Sequence, residues 1–411
     1  MSAGTQTDGG LSLDSAYSWL RLSMSLLIGT IGSVGMWSVV VALPAVQADF
    51  GVSRADASLP FTMTMFGFAF GNVGMGRLSD RFGIVAPIIL GACLLCGGYL
   101  LAANAPSLWV FAWAYALIGL GSSASFGPMM ADVSHWFLRH RGIAVAIAAS
   151  GNYFAGAIWP PIVQHSIASI GWRTTHLWIG LFCVAMMVPL AFALRRRQRI
   201  AATQSLAVAS GTQKALGISP NTLQWLLWIA GFACCVAMSM PQVHIVAYCV
   251  DLGFGPARGA EMLSLMLAFG IISRIGSGFL ADRIGGLATL LIGSAAQGTA
   301  LSFYLFFESL PSLYVISAMF GLFQGGIVPS YAIVVREYFS PKEAGTRVGV
   351  VIMATVLGMA FGGWITGWIF DLTGSYFIAF IHGVAWNVLN CMIAVWLLLR
   401  SRSRAPRLAP A

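Results

Sequence analysis

Arg274 is the residue whose type and place most strongly imply chemistry. It lies deep in the apolar stretch 259–281, and no other Lys or Arg falls well inside such a stretch. An unpaired cation in hydrocarbon costs at least ~2.5–3.5 kcal/mol on insertion scales, so an intramembrane arginine is a functional candidate by default. A guanidinium presents a planar fork that grips a carboxylate through two parallel hydrogen bonds. One deep cation complements one carboxylate, and a dianion calls for a second. The bland alternative is a structural pair with an acid such as Asp251.

Further polar residues sit in apolar stretches. Tyr115 can donate its hydroxyl to a carboxylate. Asn152 and Gln324 can hydrogen-bond a substrate or a facing helix. His244 and His382 titrate near physiological pH and can carry a proton. The substrate-binding candidates are therefore Arg274, Tyr115, Asn152, Gln324 and His382. The proton-coupling candidates are Asp251, His244 and His382. Asp49 and Asp251 occupy equivalent helix ends, where caps or loop charges are the simpler reading.

The elements that must position these residues are written twice. Gly76-x-x-x-Asp80-Arg81-x-Gly83 returns 202 positions later as Gly278-x-x-x-Asp282-Arg283-x-Gly285. The same offset relates Asp49 to Asp251, Gly51 to Gly253, Gly91 to Gly293, Gly119 to Gly321 and Phe137 to Phe339. Repetition at this period means two copies of one unit. In an apolar chain it points to a carrier whose site lies between two halves.

The chain is 58% hydrophobic and 9% charged. Its apolar runs approach the ~20 residues that cross a bilayer. The pattern predicts an all-α membrane protein of twelve transmembrane helices in two pseudo-symmetric six-helix halves. Residues 1–21 read as a cytoplasmic tail, 22–194 as the N-terminal bundle and 195–221 as a polar cytoplasmic linker. Residues 222–399 read as the C-terminal bundle and 400–411 as a second cytoplasmic tail. The basic residues fall almost all in alternate loops, leaving only Arg54, Arg173 and Arg258 opposite. That places both termini in the cytoplasm.

Both cassettes then fall in cytoplasmic loops after the second helix of a half, where they read as a conformational latch. Gly76 and Gly278 would let helices approach closely. Asp80 and Asp282 would accept hydrogen bonds at a helix N-terminus. Arg81 and Arg283 would reach the facing half, with Gly83 and Gly285 closing the motif. Asp132, near the cytoplasmic end of the fourth helix, would pair with Arg139 or Arg81.

The net charge of +9 is a topology signal rather than a nucleic-acid footprint. No phosphate-binding Gly-x-x-x-x-Gly-Lys-Ser/Thr loop is present, so ATP is not a direct driver. No metal-ligand spacing, nucleophile elbow or cofactor signature appears. An enzyme is not expected. The scarcity of Lys beside abundant Arg, Ala and Gly suggests a bacterial inner membrane.

The cassette resembles the loop signature of the major facilitator superfamily, which implies alternating access around a midplane site. Narrower features resemble its monocarboxylate transporter and oxalate/formate antiporter branch. They are Trp136-Phe137, the basic cluster Arg139-His140-Arg141, Gly142-x-Ala144, and a fifth helix with Gly151 and Gly156. His244-x-x-x-Tyr248-x-x-Asp251-x-Gly253 and Arg274-x-x-x-Gly278 add to them. In that branch an eighth-helix arginine binds the substrate carboxylate, and a fourth-helix tyrosine lines the site in some bacterial members. Arg274 and Tyr115 match those places. The chain departs in having no first-helix lysine, Gly270 where some animal members carry an acid, and no lysine within the eleventh helix.

The expected function is secondary transport of a small monocarboxylate, such as lactate or pyruvate. A proton in symport or a counter-anion in exchange completes the cycle, and the resemblance implies symport. An oxalate/formate-type antiporter, a drug or metabolite efflux carrier, and a non-transporting receptor are the alternatives.

Overall fold

The computed structural model describes residues 13–138, 140–195 and 216–403. The first six rods are α1 (Ala16–Gly32) with α2 (Val34–Phe50), then α3 (Arg54–Phe82), α4 (Val85–Ala103), α5 (Leu108–Ser123) with α6 (Gly127–Ser134), α7 (Arg141–Ala149) with α8 (Gly151–Ile170), and α9 (Trp172–Ala193). The second six are α10 (Pro220–Asp251), α11 (Pro256–Ile284), α12 (Gly286–Phe303), α13 (Leu310–Gln324) with α14 (Ile327–Tyr338), α15 (Pro341–Thr373) and α16 (Tyr376–Ser403). Among the described residues there is no strand. Among the described residues, eleven rods are long and apolar enough to cross a membrane. The twelfth, α3, has 29 residues, about 44 Å at 1.5 Å per residue, but carries Arg54, Asp56, Arg77, Asp80 and Arg81 at its ends. Most of the expected linker, and the ends of both expected tails, lie outside the described residues; the helix of α1 already begins at Ala16.

Local chemistry sets the helix ends. Ser15, Ser53, Ser219 and Ser309 each cap a helix by accepting from a backbone N–H three residues on. Each cassette ends on a glycine at positive φ, 82° at Gly83 and 84° at Gly285, a conformation that side chains resist. The repeat extends to single contacts. A Cβ on Gly119 would meet the Thr64 carbonyl at 2.1 Å, and one on the equivalent Gly321 would meet Met266, the equivalent of Thr64, at 1.9 Å. The same close approach thus seats α5 on α3 and α13 on α11.

The two halves pack unequally along their length. At the end remote from the chain termini, a Cβ on Gly367 of α15 would lie 2.8 Å from the Arg54 carbonyl of α3. Midway, one on Gly156 of α8 would lie 2.0 Å from Leu267 of α11. At the terminal end, a Cβ on Gly74, Gly76, Gly276, Gly278, Gly345 or Gly349 would meet nothing within 4 Å. The bundle is closed at the remote end and splayed at the terminal end. Two latch expectations are corrected here. Gly76 and Gly278 make no close helix approach in this state. The carboxylate that receives the first N–H of α12, from Gly286, is Glu337 of α14 at 2.9 Å, not Asp282. Asp80 and Asp282 lie in the last turns of α3 and α11.

Asp132 is also reassigned. Its two oxygens accept from Nε and Nη2 of Arg21, each at 2.9 Å, while Nη1 donates to the Leu194 carbonyl at 2.9 Å. Trp136 covers the guanidinium at 4.5 Å. Arg139 lies outside the described residues, and Arg81 instead stands over the Phe82 ring at 5.1 Å. The Arg21 clamp ties α1, α6 and α9 together with a side chain only 1% exposed. Breaking a buried pair by removing one partner costs about 3–5 kcal/mol. Asp132→Ala is expected to lower the thermal unfolding midpoint in detergent more than Arg21→Met, which removes the buried charge as well.

Candidate functional site

Arg274 is partly exposed on α11, where the two halves meet. Its Nη1 donates to the Ala149 carbonyl at 2.8 Å and its Nε to the Gly325 carbonyl at 3.4 Å. Ala149 is the last residue of α7, which stops at Ser150; Gly325 follows the last residue of α13, before α14 starts. Both carbonyls therefore belong to helix ends, where the final carbonyls lack intrahelical partners and the dipole is negative. Two half-helix C-termini, one from each half of the molecule, converge on one guanidinium. The Tyr153 ring of α8 lies over it at 4.5 Å. Among the described residues, no carboxylate oxygen lies within 4.0 Å of it. The alternative, a structural pair with Asp251, is not formed; Asp251 pairs with Arg54.

Asn152 lies beside this seat, its Oδ1 accepting from Trp37 Nε1 at 3.1 Å. Gln324 immediately precedes Gly325; its Oε1 accepts from Gln242 Nε2 at 2.9 Å, and its own buried Nε2 has no hydrogen-bond partner among the described residues. Tyr115 stands elsewhere. It is fully buried in the N-terminal half, bonded to His176 Nε2 at 2.7 Å and Ser38 Oγ at 3.3 Å. Burial of the whole side chain leaves its hydroxyl no opening to a cavity in this state. His382 is also apart, its Nε2 accepting from Trp386 Nε1 one turn along α16 at 2.8 Å. The sequence places these side chains at depth but not on a helix face.

A second cluster closes the remote end. Arg54 donates to both oxygens of Asp251, from Nη1 at 3.0 Å and Nη2 at 3.1 Å. Nη1 also reaches the Tyr376 hydroxyl at 2.6 Å, and the Phe370 ring lies 4.6 Å from the guanidinium carbon. Asp371 accepts from the backbone N–H of Arg54 at 2.8 Å and of Ala55 at 2.7 Å, so it caps α3 from the other half. His244 Nε2 faces the Gly363 carbonyl at 2.7 Å and Nδ1 faces the Tyr376 hydroxyl at 3.2 Å. A carbonyl only accepts, so Nε2 carries the hydrogen and Nδ1 accepts from Tyr376. The chain Arg54–Tyr376–His244–Gly363 is satisfied by a neutral imidazole. Asp49, the repeat partner of Asp251, instead pairs with Arg173 inside the N-terminal half at 2.8 Å.

Residues 25–310 and 277–411 match the family profile described as Major Facilitator Superfamily. The chain belongs to this superfamily. Among its relatives is bovine monocarboxylate transporter 13, 24% identical over 382 residues, spanning 90% of this chain and 86% of that protein. Rat monocarboxylate transporter 12 is 26% identical over 366 residues, spanning 81% and 74%. The fold resembles that of a bacterial homologue of the human lysosomal transporter Spinster, crystallised inward-facing and occupied. That likeness has a TM-score of 0.72 at 16% identity and covers 97% of this chain and 100% of that one.

As a superfamily member the chain is a multi-pass membrane transporter for small molecules. Its two polar clusters fit the two tasks of such a carrier. One gathers around a guanidinium between the halves, the other joins them at the remote end. Sequence reasoning singled out Arg274, Asp251 and His244, which lie in these clusters, but not Arg54, Asp371 and Tyr376, which join them there. Arg54 counted only as a minority loop charge, although an arginine remaining on the side poor in basic residues is itself an available signal.

Proposed function

We propose that this chain carries a small monocarboxylate across a bacterial inner membrane by alternating access, with Arg274 holding the carboxylate. The observation that carries the proposal is the neutral seat of Arg274. Carbonyls and a ring orient its guanidinium while its positive charge is left for an incoming anion. The monocarboxylate transporters among the relatives support the same substrate class. One deep cation suits a monoanion better than oxalate.

With both termini cytoplasmic by the loop-charge bias, the splayed terminal end opens inward and the Arg54–Asp251 cluster is an outer lock. The cassettes Gly76–Gly83 and Gly278–Gly285 then serve as the inner latch of the opposite state, with Arg81 and Arg283 reaching across once the cytoplasmic ends close. Proton symport is the preferred coupling. His244 and Asp251 lie in the lock, so a proton taken up there is linked to its opening; His382, bonded to Trp386, shares no hydrogen bond with either cluster.

Uptake of labelled lactate, pyruvate, formate and oxalate into proteoliposomes tests this reading. Uptake of a monocarboxylate, accelerated by an inside-alkaline gradient, is expected. Uptake requiring internal anion and indifferent to the gradient would assign exchange instead. Failure of all four acids to cross would defeat the substrate class.

A further inference from the structure

We infer that Tyr153 is a positioning residue for the Arg274 guanidinium, and that position 270 carries no side chain so that the Tyr153 ring can occupy that place. The inference rests on the reading of Arg274 as the carboxylate-binding group. Tyr153 follows the α7–α8 break by one turn and is only 6% exposed. Its ring centroid stands 4.5 Å from the guanidinium carbon, within the range where the negative face of an aromatic ring attracts a cation.

Gly270 lies one helical turn before Arg274 on α11. A Cβ built there would come within 2.3 Å of Tyr153 Cε1 and 2.5 Å of Cδ1. A buried aromatic ring is rigid and cannot fold aside like the end of a long chain. The ring and any side chain at 270 therefore exclude one another.

The consequence concerns charge. A carboxylate one turn from Arg274 would orient the guanidinium but also neutralise it, and a substrate would have to displace that acid. The Tyr153 ring holds one face of the guanidinium without forming an ion pair. The Ala149 and Gly325 carbonyls fix its rotation and take up two of its five N–H groups. The seat is thus oriented and still cationic. Because Tyr153 and Ala149 come from one half and Arg274 from the other, the orientation depends on α8 and α11 staying packed.

The test is uptake kinetics in proteoliposomes for four variants beside wild type and Arg274→Ala. Tyr153→Phe keeps the ring and is expected to hold KM within about twofold of wild type. Tyr153→Leu is expected to raise KM about tenfold with maximal rate nearly kept, the scale of a desolvated cation–π contact. Gly270→Ala is expected to raise KM by displacing the ring, and Gly270→Ala with Tyr153→Leu to be no worse than Tyr153→Leu alone. Gly270→Ala also serves if Tyr153→Leu does not assemble. An unchanged KM in Tyr153→Leu, or an equal loss in Tyr153→Phe, would overturn the positioning role while Arg274→Ala is inactive. Transport surviving in Arg274→Ala would instead overturn the reading on which it rests.

Discussion

Arg274→Ala is expected to weaken carboxylate binding by more than about a hundredfold, roughly 3 kcal/mol or more, the cost of losing one side of a desolvated charge-assisted pair. The variant removes the cation between the two halves and the fork that matches a carboxylate. It should not unfold the protein. The groups bonded to Arg274 are two backbone carbonyls at helix ends, and taking a cation out of an apolar span relieves a cost. The ligand-free unfolding midpoint should therefore be kept or raised, while the stabilisation by added monocarboxylate disappears. Arg274→Lys keeps the charge but offers a point donor instead of a fork, so it should recover only part of the affinity. Thermal unfolding with and without ligand separates these cases. A ligand-induced shift as large in Arg274→Ala as in wild type would remove Arg274 from the site.

The second large effect is expected at the lock. Arg54→Ala deletes both bonds to Asp251, the bond to Tyr376 and the contact with Phe370, all of which join the halves at the remote end. The Arg54 side chain is 8% exposed but Asp251 is 31% exposed, so the loss falls below that of a fully buried pair. About 2 kcal/mol is reasonable, a shift of roughly thirtyfold between the two end states. Spin labels on exposed Asp56 of α3 and Leu372 of α15, in a background without native cysteines, report the separation across this end. Wild type should give one short distance and Arg54→Ala a second, longer population. Asp371→Ala should act in the same direction because it uncaps α3. A distance distribution unchanged in both variants would deny this cluster a gating role.

The sequence carried the architecture for a simple reason. A repeat offset and runs of apolar residues are one-dimensional signals, and a helix crossing a bilayer is a one-dimensional object. Gly119 and Gly321 fall in register because each seats a helix against its neighbour's backbone. Arg274 stood out because a cation in an apolar run is costly wherever its partners lie. Partners were not legible. Arg21 and Asp132 are 111 positions apart, Arg54 and Asp251 197, and Arg54 and Asp371 317. Depth along a helix follows from counting residues, but rotation about its axis decides whether a side chain faces the cavity, its own half or the lock. Tyr115 shows this, since it stands at mid-helix yet turns inward to His176. The helix breaks at Ser150 and Gly325 were equally hidden, and they turn two backbone carbonyls into the seat of Arg274.

The central claim is that Arg274 binds the carboxylate that is transported. The most direct test is the initial rate of labelled lactate or pyruvate uptake, driven by an inside-alkaline gradient, in paired proteoliposomes of wild type and Arg274→Ala reconstituted to equal density. The account predicts gradient-driven uptake by wild type and none above empty vesicles for the variant. Equal uptake by both would contradict it.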